Sequence, residues 1–350
     1  MIPESLLSLL ERLCNAVAVS GDEGEVRQIV LEEVRPHADE VRVDALGNVL
    51  AIRHARSGDG LRVMLAAHMD EVGFMLVAED GDGLYRFETA GSVDERYLVG
   101  KPVWVGKDHL PGVIGARPIH LTTPEERARK LSLESLRIDL GPGRKAELGS
   151  RATFATPFRR LGAAILAKSL DNRLGVATVI ELLRNAPPHL ELQAAFTVQE
   201  EIGLRGASVA AYALQPHLGI AVDSTPAHDL PVPEGRENLF YNTRLGAGPA
   251  IYRADAATLS DPRLVRFLEA VAQRHNIPYQ IRQPGGGGTD AGAIQRTREG
   301  IPAVSVSVPG RYPHSPASLA LLEDWENTLR LLQEALNELT AEVLETEKNS

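Results

Sequence analysis

The chain has 350 residues, 43% hydrophobic and 24% charged, an ordinary balance for a globular protein and a length that favours one large domain plus a smaller one. A formal net charge of -10, with no run of Lys and Arg, argues against nucleic acid or an anionic membrane surface as a partner. The single cysteine, Cys14, excludes an internal disulfide and a thiolate metal site, and it fits a reducing, cytoplasmic setting.

In MIPESLLSLLERLCNAV, Leu6, Leu9, Leu10 and Leu13 recur at helical spacing, and Glu4 and Glu11 stand where a signal peptide would have a basic start. A core-facing helix is expected there. Ser20 followed by Glu23 reads as a capping box opening a second helix over EGEVRQIVLEEVRPH. VRVDALGNVLAIR reads as two short strands about a turn, and RVMLAAHMD as a buried strand with a polar end. From residue 71 to 158 the texture changes to short β-type runs broken by Gly and Pro, with EDGDG as a hairpin turn. An all-β insert at 71–158 is therefore expected, splitting the larger domain into 1–70 plus 159–350.

Helix–strand alternation then resumes. DNRLGVATVIELLRNA reads as a helix with Asp171 at its start, ELQAAFTVQ as a buried strand running into Glu200 and Glu201, and LGIAVDST as another ending at Asp223. DPRLVRFLEAVAQRHN is a helix opened by Asp261 and Pro262, PAVSVSVPG a strand leading to PGRYPHSP with His314, and the leucine-rich run from Leu319 a terminal helix. The alternation predicts an α/β fold. No apolar run approaches the roughly 18 residues of a membrane span.

Four predicted strands thus end in acids or histidines, and the C-terminal edge of an open α/β sheet is where ligands sit. Taken singly, each of these residues has a structural explanation: a hydrogen-bonded His68, an N-capping Asp171, a turn at Asp223, a helix-capping or solvated glutamate. Together, two histidines and three carboxylates suit two divalent ions sharing a bridging carboxylate, with one acid left over to act as base. Mixed oxygen and imidazole ligation points to Zn, with Co or Mn as alternatives. His68 and Asp70, two apart on a strand, would share a face, letting the Asp70 carboxylate hold the second imidazole nitrogen. GGGGTDAGA lacks the Gly-Lys-Ser or Gly-Lys-Thr of a phosphate cradle and reads as a loop flanking the site, with Asp290 on its wall.

Read in order, AAHMDEVGFM, KSLDNRLG, VQEEIGLRGA, AVDST, GGGTDAGAI and RYPHSP resemble the M42 metallo-aminopeptidases along essentially the whole chain. The resemblance implies a mixed-sheet α/β/α zinc-peptidase domain carrying an inserted β-barrel-like dimerisation domain, two divalent metal ions per subunit, and short peptide substrates. It assigns Asp171 as the metal bridge, His68 and Asp223 to one ion, Glu201 and His314 to the other, Glu200 as the general base, and Asp70 as the partner of His68. It also implies a homo-oligomer, dimers assembled into a dodecamer. Asn172 departs from the family pattern, where a second Asp is expected, and makes the charge beside the bridge different. The rival readings are a carboxypeptidase or amide deacylase with the same ligands, a glycosidase using the glutamate pair, and a non-catalytic assembly protein. The preferred first residue of the substrate is not legible in the sequence.

Overall fold

A computed structural model describes residues 2–57, 60–231 and 242–345. Its main sheet has eleven strands, and its centre is four parallel ones in the order Leu190–Thr197, Leu61–His68, Leu218–Pro226, Ala303–Arg311. Antiparallel strands extend both sides, Val49–Arg53 and Glu40–Val43 beyond the first, Ser318–Leu321, Ala164–Ala167 and Arg159–Leu161 beyond the last. Strands buried on both faces need apolar residues at consecutive positions rather than alternate ones, hence the runs VMLAA, QAAF and IAV.

Along Leu61–His68, Val63, Leu65 and Ala67 join one core cluster while Met64 and Ala66 join another, because successive side chains point to opposite faces. The larger cluster is covered by the helices Glu4–Asn15, Leu170–Arg184 and Leu322–Glu338, the smaller by Arg205–Leu214 and Asp290–Gln295. The wholly buried Trp325 donates its indole N–H to Thr178 Oγ1 at 2.8 Å, tying the terminal helix to Leu170–Arg184.

The segment after residue 71 closes a six-stranded barrel in the order Gly73–Glu79, Leu84–Ala90, Arg137–Asp139, Leu110–Gly115, Pro102–Val105, Arg151–Phe154. Phe74, Phe87 and Phe154 fill it, Phe74 meeting the other two rings edge-on at 5.1 and 5.3 Å. The EDGDG turn requires its last glycine: Gly83 has φ +77°, and a Cβ there would lie 2.0 Å from the carbonyl oxygen of Gly141.

Two local expectations change. The second helix runs Gly24–Val34 without a side-chain cap, because the Ser20 hydroxyl donates to Asp70 at 2.6 Å and Glu23 accepts from Gly21 N instead. The insert is not purely β: Pro124–Ala128 is a short helix with its own capping box, made by Thr123 and Glu126. Asp261 caps the helix Pro262–Arg274 as expected, accepting from Arg263 N.

Candidate active site

The polar ends of the central strands converge on one cavity of about 580 Å³. His68 is the last residue of its strand, Glu200 and Glu201 follow Leu190–Thr197, and Asp223 lies within Leu218–Pro226. Asp171 enters where the backbone is not yet helical, at the start of Leu170–Arg184, and His314 comes from the loop after Ala303–Arg311. All six line the cavity.

Asp171 faces two imidazoles at once. Its Oδ1 is 3.3 Å from His68 Nε2, and its Oδ2 is 3.3 Å from His314 Nε2. His68 Nε2 also lies 3.5 Å from Asp223, and His314 Nε2 lies 3.2 Å from Glu201. Donor atoms of His68, Asp171 and Glu201 fall within 4.8 Å of one another, as do those of His68, Glu200 and Asp223.

Glu200 stands slightly apart, 4.0 Å from His68 Nε2. Burial pushes its carboxyl well above the ordinary range, against the pull of His68. Burial likewise raises Glu201, to about 8, while His314 opposes it. For His314, burial is overcome by Asp171 and Glu201, and the imidazole rises to about 9. His68 is driven well above its usual value by Glu200, Asp171 and Asp223 despite complete burial. Four carboxylates crowded into a largely buried cluster repel one another unless cations compensate them, and two imidazoles cannot supply that charge without losing their lone pairs. The donor set therefore fits divalent ions held by nitrogen and oxygen.

Asp70 is in the site and faces both His68 and the turn that carries the glutamates. The strand ends at His68, so Asp70 is not on its face, and His68 Nδ1 lies nearest the Asp70 backbone oxygen, 3.1 Å away, with the carboxylate at 3.5 Å. The carboxylate also accepts from Glu200 N at 3.0 Å, Glu201 N at 3.2 Å and Ser20 Oγ at 2.6 Å. It holds the turn that aims both glutamates. His314 Nδ1 is fixed by the Ser92 carbonyl oxygen, 3.0 Å away, from the barrel side.

Asn172 spends its amide on the backbone, donating to Val222 O at 2.8 Å and accepting from Gly175 N at 3.0 Å. Asp290 begins a short helix and accepts from Thr197 Oγ1, and its Oδ1 has no hydrogen-bond partner among the described residues. Burial raises it to about 7. Tyr252, Asp255 and Arg282, which no motif had singled out, also line the cavity.

The model of the M42 glutamyl aminopeptidase family matches residues 47–331. The chain belongs to the M42 aminopeptidase family. It is 35% identical to the lysyl aminopeptidase of Pyrococcus furiosus over 345 residues, covering 95% of this chain and 96% of that one. The fold of this M42 chain is shared with the TET aminopeptidase of Thaumarchaeota archaeon SCGC AB-539-E09, with a TM-score of 0.91, 32% identity and 98% of each chain covered. The TET1 peptidase of Pyrococcus horikoshii, described as assembling into a tetrahedron or a large octahedral shell, gives a TM-score of 0.83 at 30% identity, covering 95% of this M42 chain and all of its own.

Proposed function

We propose that the chain removes residues from the free N-terminus of short peptides, using two divalent ions held by His68, Asp171, Glu201, Asp223 and His314. The observation that carries the reading is the two-sided Asp171, each oxygen 3.3 Å from a different imidazole. Asp171 would bridge, His68 and Asp223 would complete one site, and Glu201 and His314 the other. Bound there, the ions supply Lewis acidity to the scissile carbonyl and to a water. Zn suits these donors, with Co or Mn as alternatives.

Glu200 is the base in this reading. Its carboxylate takes the proton that a water loses on attacking the carbonyl, and it returns that proton to the leaving amine nitrogen. Burial supports the role, because a carboxyl with raised affinity for protons can hold one between the two steps. Asp70 is a positioning residue that fixes the backbone of Glu200 and Glu201. The dense acidic wall favours the ammonium of a free N-terminus.

The division into a catalytic domain, 1–70 plus 159–350, and an oligomerisation domain, 71–158, belongs to the same proposal. Exposed apolar side chains recur on the insert, among them Ile119 at 68% and Leu121 at 63% exposure, as an interface would require. A closed homo-oligomer follows; in a tetrahedron with a dimer on each edge it is a dodecamer. Among the described residues no helix is long and apolar enough to cross a membrane.

Metal-stripped protein should be assayed on free and N-acetylated leucyl and glutamyl peptides, before and after restoring Zn, Co or Mn. Metal-restored cleavage of free N-termini alone is expected, with Glu200→Gln keeping its metal while losing turnover by about 100-fold or more. Cleavage of blocked peptides would move the reading to a deacylase or carboxypeptidase. Near-normal turnover in Glu200→Gln would remove the base.

A further inference from the structure

Ser20 carries two bonds that join the barrel to the glutamate turn. Asp22 N donates to Val19 O at 2.8 Å and Gly21 has φ +83°, so residues 19–22 make a tight turn with Ser20 and Gly21 at its corners. In such a turn the central peptide unit, here the Ser20 C=O and the Gly21 N–H, has no partner inside the turn and needs one outside it. Both ends are held. Gly21 N donates to Glu23 Oε1 at 2.6 Å, and Ser20 O accepts from Arg151 Nε at 3.1 Å. The Ser20 hydroxyl is spent on Asp70 Oδ2, 2.6 Å away.

Arg151 belongs to the barrel. It opens the strand Arg151–Phe154, pairs there with Met75, and its carbonyl oxygen accepts from Gly106 N at 2.8 Å. Among the described residues its guanidinium has no carboxylate partner; besides Ser20 O, it donates from NH1 to Gly149 O at 2.8 Å. An arginine that ends on main-chain oxygens fixes a backbone rather than neutralising an acid. The approach is close, since a Cβ on Gly21 would lie 3.2 Å from Arg151 NH2. Beside it, a Cβ on Gly73 would collide with Val19 Cγ2 at 2.5 Å and with Ala152 O at 2.6 Å, so the turn is seated against the barrel's first and last strands.

We infer that Arg151 is a positioning residue for the reaction: through Ser20 and Asp70, it sets the turn that carries Glu200 and Glu201. The relay is continuous. Arg151 holds Ser20 O, the Ser20 hydroxyl holds Asp70 Oδ2, and Asp70 accepts from Glu200 N at 3.0 Å and Glu201 N at 3.2 Å. Ser20 and Glu201 share the same oxygen, Asp70 Oδ2, so a slip of Ser20 is felt at that glutamate. Arg151 does not line the cavity that holds the acids and histidines; it borders a separate one of about 470 Å³, with Gly21 and Glu23. Its effect is therefore on the aim of the base and not on the binding of the peptide. The inference rests on the aminopeptidase reading for what Glu200 does, whereas the relay itself is independent of the reaction.

Metal-loaded Arg151→Met, Ser20→Ala and the double variant should be compared with the unaltered protein on Leu-Ala-amide. In each single variant kcat should fall by about 3- to 10-fold while KM stays within about twofold. The double variant should lose little more than Ser20→Ala alone, because both changes cut one relay. Arg151→Lys, which keeps the charge and a donor, should recover part of the kcat, and it serves the same cycle where Arg151→Met does not fold. Hydrogen exchange followed by mass spectrometry gives a readout without turnover: the amides of Glu200 and Glu201 should exchange faster in Arg151→Met and in Ser20→Ala.

Losses that add in the double variant, a rise in KM with kcat kept, or unchanged exchange at residues 200 and 201 would overturn the inference while leaving the aminopeptidase reading intact. Faster exchange in both variants of a protein that cleaves no peptide would support the relay and defeat the peptidase reading.

Discussion

Asp70 shows how one carboxylate can organise a site from outside its cluster of histidines. It is wholly buried and collects two backbone N–H groups and a hydroxyl, so it satisfies the donors of the turn bearing Glu200 and Glu201. Burial alone would raise its pKa, but His68, Ser20 and the Glu200 amide hold it below the ordinary value. Asp70→Asn should lower kcat/KM by about 10- to 100-fold with weaker metal retention, because the amide's NH2 group confronts N–H donors. Unchanged kinetics and metal content would mean that the turn is held by something else. The pair Glu200-Glu201 was legible in the sequence as a feature that calls for partners, since two acids after an apolar strand need them. The division of labour with Asp70 was not, because its donors come from residues 20, 200 and 201.

At the scale of elements, the strand Leu61–His68 and its continuation into Glu71 link the sheet, the first helix and the barrel. Glu71 is buried and accepts from Lys168 Nζ at 2.8 Å, from Ala18 N at 3.0 Å and from Thr153 Oγ1 at 3.1 Å, and it pairs with Arg173 at 3.3 Å. The Arg173 guanidinium also reaches the carbonyl oxygens of Leu13 and Met69. Burial opposes the ionised form of Glu71, but the charges of Lys168 and Arg173 outweigh it and hold the pKa below the ordinary 4.5. A depressed carboxylate contributes stability that is present above the unfolded value and is lost as pH falls through the folded one. Thermal melts should therefore show the protein weakening below about pH 4.5. Glu71→Gln should be less stable by about 3–5 kcal/mol at pH 7 and show a shallower acid dependence. Parallel curves for the two proteins would contradict this. The Ser20-Glu23 pattern misled locally because a hydroxyl can cap a helix or serve a distant acid, and Asp70 won it.

The whole molecule joins a peptidase-family sheet to a barrel, and the barrel touches the site through Ser92 and His314. If the insert carries the oligomer contacts, charge placed on its exposed apolar turn should shrink the particle. Ile119→Asp combined with Leu121→Asp should reduce the mass measured by light scattering, while thermal melting of the released subunits still shows a folded chain. An unchanged mass would place the contacts elsewhere. The α/β alternation and the change to short β-type runs after residue 71 were readable from apolar periodicity and from Gly and Pro spacing. Barrel closure was expected from the family resemblance and not from those local patterns, because the pairing of Gly73–Glu79 with Arg151–Phe154 joins segments far apart in sequence.

By itself the sequence determined the fold class, the order of helices and strands, and the set of acids and histidines at the strand ends. These are local or ordered properties: periodicity declares burial, and polar residues ending apolar runs declare a sheet edge. Tertiary structure decided what each residue faces. It turned Asp171 towards two histidines, gave Asp70 to the glutamate turn and spent Asn172 on the backbone. Distances between residues remote in sequence depend on strand order and helix placement, and no local pattern encodes them.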